Sequence, residues 1–212
     1  LAPLYVHHET TVADWQNTIR QHPAPWAELA SDKFILTFPA DLARTLDNPD
    51  EVMDFWDAIM DASADLEGIP HERARPERFV LDQQISLGWM HSGYPLMAFT
   101  IAHQEFIDLD YIFTESIWGP IHEIGHNHQH RHWLLPGTTE TSCNLWSTYL
   151  TETVLEMSLD DNETLAAPAR EERITNYLAG GPNFEEDWNV WVALDTYLQL
   201  KERFGWDFYK TL

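Results

Sequence analysis

The sequence predicts an α+β domain: a small mixed sheet followed by a helical half. Three observations carry that expectation. Short apolar runs bounded by Gly and Pro crowd the first half of the chain, the clearest being FILTF at 34–38. From residue 117 onward, apolar residues recur three and four apart, the period of amphipathic helices. Strands first and helices after is the order of an α+β domain. The 212 residues suit one domain with a sizeable core.

In chain order, LYV (4–6) reads as a short strand, and Thr10 and Thr11 as a cap before the helix ADWQNTIRQ. HPAP is a turn, FILTF a buried strand ended by Pro39, and DLARTL a short helix. Asn48-Pro49 opens a longer helix with Val52, Phe55, Trp56, Ile59 and Met60 as its core stripe, stopped by Gly68 and Pro70. HERARPERF (71–79) is the one basic patch and reads as a solvated loop. FVLD, ISLGWM, LMAFTI and DYIF read as strand-like runs, with HSGYP (91–95) as a turn between them. Pro120 suits the first turn of a helix whose apolar positions are Ile117, Ile121 and Ile124. Pro136 and Gly137 turn the chain into a helix from Glu140, with Leu145, Tyr149, Thr153 and Met157 four apart. AAPAREERITNYLAGG gives another helix with Ile174, Tyr177 and Leu178 inward. DWNVWVALDTYLQLKERFG closes the chain on Val190, Leu194, Tyr197, Leu198 and Phe204.

The chemistry concentrates in HEIGH, residues 122–126. Positions four apart share a helix face, so His122 and His126 can address one ion. Glu123 lies on the adjacent flank, placed to act as general base toward water. Two imidazoles and a carboxylate base form the zinc hydrolase arrangement. A five-residue pattern with three fixed positions also arises by chance, so the third ligand decides its meaning. His132 stands six residues after His126, a spacing that calls for glycine at 129, where this chain has Gln129. Glu140 on the following helix is the other candidate and the favoured one; it gives the gluzincin ligand set. Asn144, one turn later, shares its face and can orient a metal-bound histidine. Three ligands and an open position describe a catalytic zinc, one per domain, rather than a closed structural site.

Composition narrows the partners. The formal charge of −23, with only Lys33, Lys201 and Lys210 as lysines, argues against nucleic acid and anionic membranes. A saline habitat or an acidic secreted protein would share this surface. No run of 18 apolar residues spans a membrane. The single Cys143 excludes an internal disulfide and reads as a buried, inert thiol. The ten Trp are read mainly as core; among Trp89, Trp118, Trp133 and Trp146, one can face a sugar. His128, His130 and His132 are read as helix-side residues. Arg170 and Arg173 are read as ordinary ion pairs, and Asp54 and Asp57 as solvated acids. His91 and Tyr94, in the turn, are equally a packed turn and candidate oxyanion donors.

The stretches HEIGHNHQ, ETSCNLWSTYL, ISLGWMHSGYPLMAF, WNVWVALDTYLQLKERFGWDFY and HHETTVADWQNTIRQHPAPWAEL together resemble the enhancin-like metallopeptidases, family M sixty. The resemblance covers nearly the whole chain. It implies a zincin-like metallopeptidase domain with His122, His126 and Glu140 on zinc and Glu123 as base. It also implies a mucin-type O-glycoprotein as substrate, and a secreted or cell-surface location. The wording around Glu140 and near the C-terminus is also similar to the vertebrate TRP-channel-associated factors. A non-catalytic glycoprotein-binding or channel-associated module is therefore the rival expectation. Residues 1–212 read as one catalytic domain excised from a longer multi-module protein, monomeric by default.

Overall fold

The computed structural model describes residues 1–115, 117–132 and 134–211. Six strands form one mixed sheet: β1 Leu4–Val6, β2 Trp26–Ala30, β3 Phe34–Pro39, β4 Glu77–Asp82, β5 Met90–His91 and β6 Leu96–Phe99. Their order is β1-β2-β3-β4-β6-β5. β1 runs parallel to β2, β2 antiparallel to β3, and β3, β4 and β6 parallel. β5 returns antiparallel to β6, with Met90 opposite Ala98 and His91 opposite Met97. β3 is the FILTF strand, and the two-residue period buries Phe34, Leu36 and Phe38 together.

One strand is unexpected, and three strand expectations need correction. β2 has no strand signal of its own, because two alanines and a glutamate are weak strand formers. It is extended because β1 and β3 pair with it on both sides. Of ISLGWM only Met90 is strand; Gly88, at φ +62, turns the chain just before it. LMAFTI stops at Phe99 and passes into a 3₁₀ turn at Thr100–Ala102. DYIF is helical, because Asp108 Oδ1 accepts from Tyr111 N at 3.1 Å and a short apolar run fits either state.

The helices of the first half are α1 Val12–Asn17, α2 Ala40–Ala43, α3 Pro49–Glu67, α4 Gln104–Ile107 and α5 Leu109–Glu115. Thr11 caps α1 by accepting from Asp14 N; the helix is shorter than expected and a 3₁₀ turn takes its place at Ile19–Gln21. α3 lies between the sheet and the helical half. Its five predicted core residues are all buried. Trp56 stacks on Phe34 at 4.6 Å and donates Nε1 to Phe106 O at 2.9 Å, which joins sheet, α3 and α4. Gly68 ends α3 at φ +74, where a Cβ would stand 2.8 Å from Lys210 O. Gly68→Ala is expected to cost about 1–3 kcal/mol through the left-handed backbone and that clash. A lower urea midpoint at unchanged slope would register it.

The second half holds α6 Trp118–His128, α7 Thr139–Ser142, α8 Asn144–Thr153, α9 Ala167–Ala179, α10 Val190–Phe204 and α11 Asp207–Lys210. The helix expected over 140–156 is two pieces meeting at Cys143. α8 is buried from Asn144 to Thr151, and Trp146 Nε1 donates to Ser63 O of α3. The stripe on α9 is not inward: Ile174 and Tyr177 are half-buried and Leu178 is exposed. In α10, Leu194, Tyr197 and Leu198 are buried, whereas Val190 is half-buried and Phe204 exposed. Arg170 and Arg173 converge on buried Asp195 at 3.2 and 2.7 Å, tying α9 to α10.

The basic patch is not a free loop. Arg73 donates to Met60 O at 3.0 Å and lies 3.3 Å from His128 Nε2, and burial lowers its pKa. Arg78 bonds Glu28 and Thr37 on the sheet. Asp57 is half-buried on Ser31, and burial raises its pKa, so it is not a solvated acid.

Candidate metal centre

α6 begins at Trp118, two residues before Pro120, and carries HEIGH in its middle turns. Its two glycines are points of close approach. A Cβ on Gly119 would sit 3.1 Å from Met90 Sδ of β5. A Cβ on Gly125 would meet the backbone of Cys143, with Cα and the carbonyl carbon at 3.0 Å. Backbone contact at Gly125 thus seats the α7–α8 junction against α6. Glu140, three residues before that junction, comes to face the histidines.

Three donor atoms converge. His122 Nε2 and His126 Nε2 are 3.1 Å apart, and Glu140 Oε2 is 3.3 and 3.2 Å from them. Ligands about 2.0–2.1 Å from a tetrahedral zinc ion stand about 3.3 Å from one another, so this donor set fits zinc. His132 is not in this cluster; it is exposed, with its ring 4.7 Å from His130. Gln129 explains this: it leaves the helix extended, at φ −57 and ψ 128, without the left-handed turn that would bring His132 back. Buried Cys143 belongs to the same group: its Sγ lies 3.5 Å from His122 Nδ1 and 3.7 Å from Nε2, and burial, then Glu140, push its thiol above the ordinary range.

The ligands are themselves held. His122 Nδ1 is 2.7 Å from Asn144 Oδ1, whose amide nitrogen donates to Glu140 O at 2.9 Å. An Nδ1–H donating to that oxygen leaves the Nε2 lone pair facing the cluster. Gln129 braces His126: its Nε2 lies 2.9 Å from His126 Nδ1, and its Oε1 accepts from Ser142 Oγ at 2.7 Å. A cation on His126 Nε2 would put the ring proton on Nδ1, and the Gln129 amide would then turn over, its oxygen accepting from His126 and its NH₂ donating to Ser142. Beyond the missing glycine, the sequence suggests a local hydrogen-bond network at His128 or Gln129, without indicating His126 as the partner. Gln129→Leu is expected to weaken zinc binding about 10–100-fold with the fold retained, measurable by competition with a chromophoric chelator.

Glu123 is half-buried on α6 and makes no hydrogen bond among the described residues. The HSGYP turn is clamped to the same helix: Gly93 N donates to Asn127 Oδ1 at 3.1 Å and Asn127 Nδ2 donates to Gly93 O at 2.9 Å. His91 lies in β5, with Nε2 3.0 Å from Ser86 Oγ and Nδ1 2.9 Å from Ser92 O. Arg75 lies over the Tyr94 ring at 3.5 Å, and the Tyr94 hydroxyl has no partner among the described residues. Of the flanking tryptophans, Trp146 is buried, Trp118 packs on Trp191 and Trp89 is exposed. Trp133 falls outside the described residues. His128 is buried against Glu67 at 2.6 Å.

A fold of this kind is shared by known proteins. The family model described as Peptidase M60, enhancin and enhancin-like, matches residues 1–212, and the chain belongs to that family. A TRPM8 channel-associated factor homolog of Xenopus laevis is 49% identical over 100% of the chain, which spans 23% of that protein. Human TRPM8 channel-associated factor 1 is 47% identical over 97% of the chain and 22% of its own length. The chain thus spans about a quarter of these relatives. Among solved structures, a functionally unknown conserved protein (a mutant) from Bacillus anthracis str. Ames superposes at TM-score 0.83 and 23% identity, covering 98% of this chain and 44% of that one. A metallopeptidase from Bacteroides thetaiotaomicron superposes at 0.61 and 20% identity, covering 69% and 26%. The M60 catalytic domain of Clostridium perfringens ZmpC, solved with the sialyl T antigen, gives 0.53 and 13%, covering 97% and 52%. At these identities the structural likeness is one of fold.

Proposed function

We propose that this domain is a zinc-dependent endopeptidase cleaving mucin-type O-glycosylated proteins, secreted or at a cell surface. The observation that carries the proposal is the convergence of His122 and His126 of α6 with Glu140 of α7 within 3.1–3.3 Å, beside Glu123 of α6, which has no partner among the described residues. Zinc, when bound by those three side chains, supplies Lewis acidity toward water and a carbonyl oxygen. Glu123 takes the proton of the attacking water and returns it to the leaving amine. Tyr94 or His91 donates to the oxyanion; Tyr94 is the freer of the two, since its hydroxyl has no partner among the described residues while both His91 nitrogens are occupied. The outer edge of β5 offers backbone groups to an extended substrate. The glycoprotein class is supported by the glycan held by the fold neighbour from Clostridium.

A second reading, a glycoprotein-binding or channel-associated module without cleavage, is favoured by the 49% and 47% identities to TRPM8 channel-associated factors. The two readings separate in one experiment. A mucin-type O-glycoprotein is incubated with the zinc-loaded chain and its peptides are sequenced by mass spectrometry. New termini beside glycosylated Ser or Thr, absent with chelator, are the expected result. Retention of the glycoprotein with no new termini would favour the module. Among the described residues, no helix is long and apolar enough to cross a membrane.

A further inference from the structure

We propose that His7, His8 and Asp54 form a second divalent-cation site, a two-histidine, one-carboxylate centre for zinc-class ions that pins β1 to α3. One ligand atom from each of the three side chains lies within 4.8 Å of the others. Strand order puts β1 and β5 at opposite edges of the sheet, so this cluster is separate from the HEIGH centre beside β5.

The backbone brings the two imidazoles together against the usual alternation. Successive residues leaving a strand point to opposite sides. His8 instead adopts φ +63, and its ring returns to lie 3.8 Å from that of His7 at 32°. His7 is the buried floor of the cluster, its side chain 4% exposed; His8 and Asp54 are exposed. His7 Nε2 is 3.0 Å from Asp54 Oδ1, while Nδ1 is buried without a hydrogen-bond partner among the described residues. If Nε2 carries the proton and donates to Asp54, the Nδ1 lone pair is unused. If Nδ1 carries it, the Nε2 lone pair faces a carboxylate, an arrangement that a shared cation makes favourable. Either tautomer leaves His7 one lone pair to give to an ion.

The surroundings are anionic. Asp50 and Asp54 act on the Tyr5 hydroxyl, whose pKa is raised by burial first and by these two acids next. Asp57 also lies within electrostatic reach of His7. The chain's charge of −23 adds a long-range attraction for cations. Imidazole with carboxylate suits zinc and its first-row neighbours rather than magnesium or calcium. β1 has three residues and pairs only with β2, so a cation shared with Asp54 would tie it to a helix 47 residues away in sequence.

The test uses the whole chain and Zn²⁺ as the probe. After chelation and dialysis against buffered zinc, the native chain should hold about two zinc ions and His126→Ala/Glu140→Ala about one. The latter should also gain about 5–10 °C in Tm at zinc about a hundred-fold above Kd. Adding His8→Asn, which tolerates the left-handed backbone, or Asp54→Asn on the exposed face of α3, should abolish both the remaining ion and the Tm response. In the otherwise native chain, His8→Asn should reduce the content to about one. If His126→Ala/Glu140→Ala binds no zinc and its Tm ignores the metal, the cluster is an ordinary His7–Asp54 ion pair and the proposal fails. Zinc retained after both additional substitutions would place the second ion elsewhere and overturn it equally.

Discussion

Glu123→Ala is expected to leave zinc content and melting temperature unchanged while lowering kcat/KM for peptide cleavage about 10²–10⁴-fold, the range for loss of a general base. The reason lies in the division of labour on α6. His122 and His126 are braced from outside by Asn144 and Gln129, and neither bond involves Glu123. The Glu123 carboxylate has no partner among the described residues, so its removal strands no buried group. Single-turnover cleavage with zinc quantified in the same sample separates the outcomes. Unchanged cleavage would remove the general base from the mechanism; parallel loss of zinc would make Glu123 a structural support of the site.

Gly125→Ala is expected to do the reverse, destroying the metal centre through packing. A methyl group there meets the Cys143 backbone, which has no rotamer by which to yield. α6 and the α7–α8 junction must separate, and Glu140 moves away from the histidines with it. Zinc affinity should fall by more than about 100-fold, beyond the usual cost of losing an outer partner. Stability of the metal-free chain should fall by about 1–3 kcal/mol. Gly119→Ala is the control: its methyl meets chiefly the flexible Met90 side chain, so zinc binding should persist. Zinc titration with urea unfolding of both variants checks the contrast. Full zinc affinity in Gly125→Ala would show that the helix contact does not set the ligand distances.

What could be read from the residues was whatever depends on neighbours along the chain. The period of α3, the FILTF strand and the four-residue step from His122 to His126 are local patterns. The weight of Gln129 against His132 is of the same kind, because a turn conformation is also local. What escaped depends on distant partners. β2 is a strand through pairing on both sides. DYIF is the exception, a short apolar run made helical by the neighbouring Asp108. The apolar stripe of α9 reads as core yet stays largely exposed. The contact between Gly125 and Cys143, and the bond from Ser142 to Gln129, join segments that no periodicity relates.

β5 consists of Met90 and His91 alone. A peptide laid along its outer edge can exchange main-chain bonds over roughly a dipeptide, worth about 1–3 kcal/mol in all. Such a grip fixes direction and depth but reads almost no amino-acid order. On the proposed reading, discrimination would come from what projects from the peptide, sugars included, and tolerance toward the underlying sequence would follow. A short rim makes an enzyme selective for decoration and indifferent to spelling.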